Sequence, residues 1–161
     1  MLPDSPTRYG APVRGRRRSS GRRVSRGVLA AFFVSAGTLH FVKPEPYEAI
    51  VPPSLPLTRE IVYVTGVAEL VGGLAVLSSR WRPWAGWWLI GLLIAVFPAN
   101  VYHAVAAEQI TGDAIPKPLL WIRLPLQALL IAWVWRATEA DLALRRRGRL
   151  GRAREALRRR R

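Results

Sequence analysis

The sequence contains no cysteine and only two histidines. Without cysteine, thiolate nucleophiles, disulfide exchange, iron–sulfur clusters and cysteine-based zinc sites are excluded. Two histidines are also too few ligands for an ordinary structural zinc site. We therefore expect no metal site. Any redox chemistry would need a cofactor that is bound without cysteine ligands.

Acidic residues are scarce as well. The 161 residues include 10 acidic and 25 basic ones, a formal net charge of +15, although half of the chain is hydrophobic. Eight arginines lie between Arg8 and Arg26 and eleven between Arg136 and Arg161, so six basic residues remain for the middle. The length allows one domain, and its apolar middle differs physically from the two basic ends.

Four apolar segments in this middle part are each close to the ~20 residues that cross a bilayer as a helix. They cover residues 24–42, 61–79, 84–105 and 118–135. The third contains the uncharged run "WAGWWLIGLLIAV", with tryptophans at the end where interfacial aromatic residues belong. We predict an all-α integral membrane domain over residues 24–136, built as an up-down four-helix bundle, with Arg-rich tails over 1–23 and 137–161.

Basic residues also distinguish the two sides of this predicted domain. The Arg-rich ends share one side with the connection that contains Arg80 and Arg82, whereas the other two connections contain only Lys43, Arg59 and Lys117. Because cytoplasmic loops of membrane proteins carry the excess of Lys and Arg, this pattern predicts that both termini are cytoplasmic.

The tails admit more than one interpretation. Residues 1–23 are rich in Arg, Pro, Ser and Gly and are expected to be disordered. The "RR" before the first apolar run could belong to a twin-arginine signal, but the run is long for a signal and three further spans follow, so we expect a retained helix. The basic runs are expected to lie against anionic lipid headgroups rather than nucleic acid, since no aromatic residue follows Trp135 to stack on bases.

Six polar residues fall at similar depth in the outer half of the predicted bundle. They are His40, Glu69, Asn100, His103, Arg123 and Gln127. An ionised group facing lipid costs at least ~2.5–3.5 kcal/mol on insertion scales, so we expect these side chains to face the interior as one network. Because Glu69 and Arg123 lie ~12 and ~8 Å from their outer helix ends, we predict an ion pair between them. The network could hold a ligand or only set the register of the helices.

Small residues and prolines support this arrangement. Gly66, Glu69 and Gly73 form a stripe that would let another helix approach the carboxylate closely. Pro98 and Pro125 each free a backbone carbonyl one turn earlier, which adds hydrogen-bond acceptors to the same region. The freed carbonyls belong to Ile94 and Trp121.

The connection over residues 42–60, "VKPEPYEAIVPPSLPLTRE", is rich in proline and therefore stiff. Its segment "YEAIV" could form a short helical turn above the polar network. It would then act as a lid or as a docking surface for an extracytoplasmic partner. A rigid connector is the alternative.

Several stretches together resemble the DoxX-like family of small four-helix bacterial membrane proteins, which is related to the DoxD and MauE groups. They are "SAGTLHFVKPEPYEAIVPPSLP", "GVAELVGGLAVL", "FPANVYHAV" and "PLLWIRLPLQALLIAWVW", within residues 24–136. The positions that match the family's pattern are His40, Pro44, Pro52, Glu69, Pro98, Asn100, Arg123, Pro125 and Gln127. The resemblance implies a multi-pass protein of the bacterial cytoplasmic membrane that is associated with redox physiology. MauE-like disulfide chemistry is not expected, because the chain has no cysteine.

Several functions agree with these features. The protein could be a non-catalytic accessory subunit of a redox or oxidative-stress system that docks a redox protein. It could instead bind a quinone for an oxidoreductase, with Arg123 and a histidine bonded to the carbonyls, or hold a haem between His40 and His103. A small-molecule exporter that uses Glu69 to couple protons is a further alternative, although the predicted pair with Arg123 argues against it. The sequence assigns neither catalytic residues nor an oligomeric state.

Overall fold

The computed structural model describes residues 15–140 of the protein. This part of the chain is all-helical and contains no strand. The elements are α1 (Gly15–Val42), α2 (Glu45–Glu48), α3 (Thr58–Leu77), α4 (Arg82–Val105), α5 (Ala107–Ile110), a 3₁₀ turn (Gly112–Ala114) and α6 (Lys117–Thr138).

Four of these helices are long and apolar enough to cross a membrane, which confirms the predicted number of candidate spans. The spans are Ser20–Val42 within α1, and the whole of Thr58–Leu77, Arg82–Val105 and Lys117–Thr138. Their outward surfaces expose many large apolar side chains, for example Val64, Leu74 and Leu129. Such surfaces suit a lipid environment, where apolar side chains face acyl chains instead of water.

The first helix begins earlier than the sequence predicted. It starts at Gly15, so residues 15–23 are helical although they were expected to belong to a disordered tail. Arginine is a good helix former, and no proline interrupts the chain between Pro12 and Pro44. Residues 1–14 and 141–161, which make up the rest of both predicted tails, lie outside the described residues.

The long helices pack in the order α1, α3, α4 and α6. At one end, the side chains of Arg22 and Arg26 on α1 reach Glu139, with N–O distances of 2.6 and 3.3 Å. We call this the Glu139 end of the molecule, and the opposite end, which carries α2, the α2 end. The main apolar core includes Leu29 and Val134, which are fully buried.

Helices α1 and α3 approach each other through glycines. A Cβ atom on Gly66 would lie only 2.7 Å from Cβ of His40, and one on Gly37 would lie 2.7 Å from the carbonyl oxygen of Gly66. Gly73 faces Phe33 of α1 in the same way, at 3.0 Å. The stripe predicted on α3 therefore lies against α1, and this contact brings His40 next to α3.

The connection from α1 to α3 contains the short helix α2, which starts two residues before the predicted "YEAIV" turn. The reason is local: Pro44 and Pro46 stand at its beginning, where a helix needs no backbone N–H donor. Arg59 on α3 donates a 2.9 Å hydrogen bond from Nε to Oε1 of Glu48, which ties α2 to the start of α3.

Candidate ligand site

A cavity of about 660 Å³ lies between the four long helices toward the α2 end. Most of its wall is apolar and includes Phe32, Leu93, Val96, Leu126 and Leu130. Its polar lining residues are His40, Tyr47, Thr65, Glu69, Asn100, Arg123 and Gln127. An apolar cleft of this size with a few convergent polar groups is typical of small-molecule sites.

His40 and Glu69 form the first polar pair of the cavity. Nδ1 of His40 lies 3.5 Å from Oε2 of Glu69 and 2.8 Å from the carbonyl oxygen of Ala36. Because a carbonyl oxygen can only accept, Nδ1 carries the hydrogen in that bond, and in a neutral ring Nε2 is left as an acceptor. Oε2 of Glu69 is buried and accepts no hydrogen bond from the described residues.

Tyr47 of α2 covers this pair from the connecting segment. Its ring stacks on the imidazole of His40, with centroids 3.8 Å apart and planes inclined by 28°. Burial raises the pKa of the Tyr47 phenol, the Glu69 carboxylate raises this pKa further, and Arg123 opposes the increase. The phenol thus stays neutral near neutral pH and lies within the influence of both charges.

Sequence reasoning did not name Tyr47 as a site residue. The sequence signal that could have identified Tyr47 was the position of "YEAIV" above the predicted network. A segment that covers the network must place at least one side chain against it. Ile50, Val51 and Pro52 line the cavity from the same segment. The segment is therefore part of the cavity wall, which agrees with the lid interpretation.

Asn100 and Gln127 form the second polar pair, between α4 and α6. Nδ2 of Asn100 donates a 2.8 Å hydrogen bond to Oε1 of Gln127, and Nε2 of Gln127 donates to the carbonyl oxygen of Leu93. Both side chains are buried. Pro98 was expected to supply the carbonyl of Ile94 as an acceptor, but the structure uses the neighbouring carbonyl of Leu93 in the same turn.

The predicted ion pair between Glu69 and Arg123 is wrong. Glu69 has His40 as its neighbour, and Arg123 forms no ion pair or hydrogen bond with any side chain in the described part of the chain. Depth along the helix axes, on which the prediction depended, does not determine lateral position. Helix α3 packs on α1 and α4, whereas α6 packs mainly on α4, so the two side chains line the same cavity from helices that are not neighbours.

His103 lies apart from the cavity. It is only 5 % exposed, and neither of its ring nitrogens has a hydrogen-bond partner among residues 15–140. The structure thus brings five of the six predicted network residues to one cavity and leaves the sixth outside it. Since His103 does not line the cavity, His40 has no second histidine among the cavity's lining residues. No cluster of three or more potential metal ligands occurs in the part of the chain described by the structure.

The fold and the cavity define a helical protein with four helices that could span a membrane around a mainly apolar site. Within this class, the chain belongs to the family described as domain of unknown function (DUF8561), which matches residues 29–138. The match includes all cavity-lining residues. No curated protein and no solved structure matches the chain.

Proposed function

We propose that this protein is a multi-pass membrane protein that binds one lipid-soluble small molecule in its cavity. One observation carries the proposal: a cavity of about 660 Å³ has a mainly apolar wall and polar groups from all four long helices. A polar cluster that only set helix register would be closed by mutual hydrogen bonds. Here the carboxylate of Glu69 and the guanidinium of Arg123 keep unused hydrogen-bonding capacity.

The proposed setting is the bacterial cytoplasmic membrane, with an up-down bundle and both termini in the cytoplasm. The segregation of arginine supports this orientation, because it follows the positive-inside rule. Contacts between helix ends support the bundle, since Phe41 near the end of α1 stacks on Tyr63 near the start of α3. In this orientation the α2 end faces outward and the cavity lies in the outer half of the membrane.

The DoxX-like resemblance supports a role for this binding site in redox physiology. We propose that the protein is an accessory component, without catalytic residues of its own, of a redox-linked or oxidative-stress-linked membrane system. A quinone would be one ligand of the proposed kind, since the cavity offers polar groups to its carbonyls and an apolar wall to its ring. The covering segment around α2 would then be the surface that a redox protein meets.

The test uses the full chain purified from its membrane in mild detergent. A solvent extract is analysed by mass spectrometry for bound lipid-soluble molecules, quinones included, and an absorption spectrum is recorded before and after reduction. We expect a stoichiometric bound molecule that is lost in Ala99→Phe, which fills the cavity from α4. Ala132→Phe makes the same change at an exposed position outside the cavity and should keep the molecule. An extract that shows only bulk lipid in the wild-type protein would contradict the proposal.

A small-molecule exporter is the second candidate, and one observation favours it. An ion pair with Arg123 would have held Glu69 ionised, but Glu69 has His40 as its neighbour instead. No arginine among residues 15–140 pairs with Glu69, so none there would prevent it from taking up and releasing a proton during transport. Ethidium efflux from cells that express the wild-type protein or Glu69→Gln tests this: an exporter lowers ethidium accumulation only with Glu69 intact. Equal accumulation in both strains and in cells without the protein would reject it.

A further inference from the structure

In residues 15–140, the hydrogen bonds between helices α1 and α6 lie at one end of the molecule. Nε of Arg26 donates a 2.8 Å hydrogen bond to the carbonyl oxygen of Ala137, and Nε1 of Trp133 donates a 2.8 Å bond to Oγ of Ser25. Both contacts lie at the Glu139 end, together with the ion pairs of Glu139. Toward the α2 end, no hydrogen bond or ion pair joins the two helices in residues 15–140.

The opening between α1 and α6 leads into the cavity. Phe32 on α1 and Leu126 on α6 both line the cavity, and they are 47 % and 53 % exposed at the surface. Direct contacts join the other pairs of neighbouring helices. Beside the cavity, glycines bring α1 against α3 and the Asn100–Gln127 bond joins α4 to α6, whereas Leu89 packs on Gly72 between α4 and α3 toward the Glu139 end. An apolar opening on the lipid-facing side suits a ligand that arrives from the bilayer.

Arg123 lies beside this opening on α6. Its side chain lines the cavity and is exposed, and no carboxylate in the described part of the chain pairs with it. It follows the first residue of α6 by six positions, which places its Cα ~9 Å from that helix end, a depth from which a long arginine side chain can reach the headgroups of a bilayer. A planar guanidinium binds carboxylate or phosphate with two parallel hydrogen bonds, and it is costly in a membrane without such a partner.

We propose that the ligand is an amphipathic anion that enters from the outer leaflet between α1 and α6, where Arg123 binds its carboxylate or phosphate head. The inference rests on the proposed function and adds the class of ligand and its route. The acyl or isoprenoid part would occupy the apolar wall around Leu93 and Leu130. Glu69 lines the same cavity beside His40, and its ionised form would repel the anion, whereas the charge of Arg123 would attract it.

The head is tested with the full chain in phosphatidylcholine vesicles and spin-labelled stearate, at a pH where stearate is ionised. The uncharged methyl ester of the same probe is the matched comparison. Electron paramagnetic resonance gives the motionally restricted fraction, and we expect stearate to be preferred over the ester about tenfold. Arg123→Gln should abolish this preference and Glu69→Gln should increase it. Lys43→Gln, the same change at an exposed position on the same side, should leave it unaltered.

Spin-labelled phosphatidic acid, compared with spin-labelled phosphatidylcholine, distinguishes the source of the head. Preference for stearate identifies a single-chain carboxylate, and preference for phosphatidic acid identifies a phospholipid head. Either preference supports the proposal if the Arg123→Gln variant loses that preference. An acid and an ester bound equally in the wild-type protein, both displaced by Ala99→Phe, would overturn the anion while keeping the proposed function. Absence of any restricted fraction sensitive to Ala99→Phe would reject both.

The route is tested by a bulky maleimide on a single cysteine, because the chain has no cysteine of its own. Labelled Leu126→Cys should block the entry of stearate. Labelled Leu129→Cys, which is exposed on the same helix but does not line the cavity, should bind stearate like the unlabelled protein. The same binding in both labelled variants, or the same loss in both, would overturn the proposed opening.

Discussion

Gln127 uses both ends of its side-chain amide in the interior of the molecule. Its oxygen accepts from Asn100 and its nitrogen donates to the carbonyl of Leu93. Both side chains are buried, and in the proposed membrane setting no bulk water would replace a lost partner. Single substitutions here therefore measure how much one hydrogen bond between α4 and α6 contributes to stability.

At this scale we predict that Gln127→Leu, which keeps the side-chain volume, lowers the free energy of unfolding by about 1–2 kcal/mol. The reason is that Asn100 loses its acceptor while it remains buried. Reversible unfolding in mixed micelles of increasing dodecyl sulfate fraction, followed by tryptophan fluorescence, measures the change.

The double variant Asn100→Leu/Gln127→Leu is the control for this prediction. It removes both polar side chains, so neither amide is left without its partner. The sum of the losses in unfolding free energy for the two single variants should therefore exceed the loss for the double variant. Strictly additive losses would show that the two amides do not stabilise each other.

Two of the long helices show how packing between elements is encoded. Helix α3 carries glycines on the face that meets α1, and the close contact places His40 beside Glu69. Gly91 on α4 offers a comparison, because a Cβ atom there would meet nothing within 4 Å. The same substitution at the two glycines thus separates the effect of contact from the effect of helix propensity.

We predict that Gly66→Ala destabilises the protein by about 1–3 kcal/mol, because the added methyl group must displace His40 and Phe41. Gly91→Ala should be neutral or slightly stabilising, since alanine is the better helix former. The dodecyl sulfate titration measures both variants. A loss of the same size in both would contradict the close contact between α1 and α3.

The distribution of charge concerns the whole molecule. Arginine is concentrated at the chain ends and around Arg80, on the side that the positive-inside rule assigns to the cytoplasm. The cavity and α2 would then face outward. Labelling from the two sides of the membrane decides the orientation, and the chain suits this method because it contains no cysteine.

We predict that Ser54→Cys, in the segment after α2, is labelled by a membrane-impermeant maleimide added to intact spheroplasts. Ser79→Cys, between α3 and α4, should be labelled only after the membrane is opened. Both positions lie in short connections between helices. The reverse pattern would mean that the cavity faces the cytoplasm. Labelling of both cysteines from outside would show that α3, which lies between them, does not cross the membrane.

Much of the fold was predictable from the sequence. Each of the four long helices could be recognised from its own residues, because hydropathy over ~20 residues is a local property. Their ends were less predictable: α1 extends to Gly15, since arginine allows a helix to continue beyond the apolar run. The position of α2 followed Pro44 and Pro46 rather than the apolar letters of "YEAIV".

The site was predictable in composition but not in pairing. Polar residues at membrane depth were expected to face the interior, and five of the six line one cavity. Their partners were misassigned because the axial position of a residue follows from counting, whereas its lateral neighbours follow from which helices are adjacent. His103 shows the same limit, since three residues of spacing from Asn100 did not place both side chains in the cavity.

The sequence by itself determined the all-helical class, the four apolar helices and the uneven distribution of charge, because each depends on residues close together in the chain. Only the tertiary structure decided that His40, not Arg123, neighbours Glu69, that Tyr47 covers the pair, and that the hydrogen bonds between α1 and α6 lie at the Glu139 end. These features depend on how closely four helices approach one another, and that is decided by the glycines and side chains at every contact together.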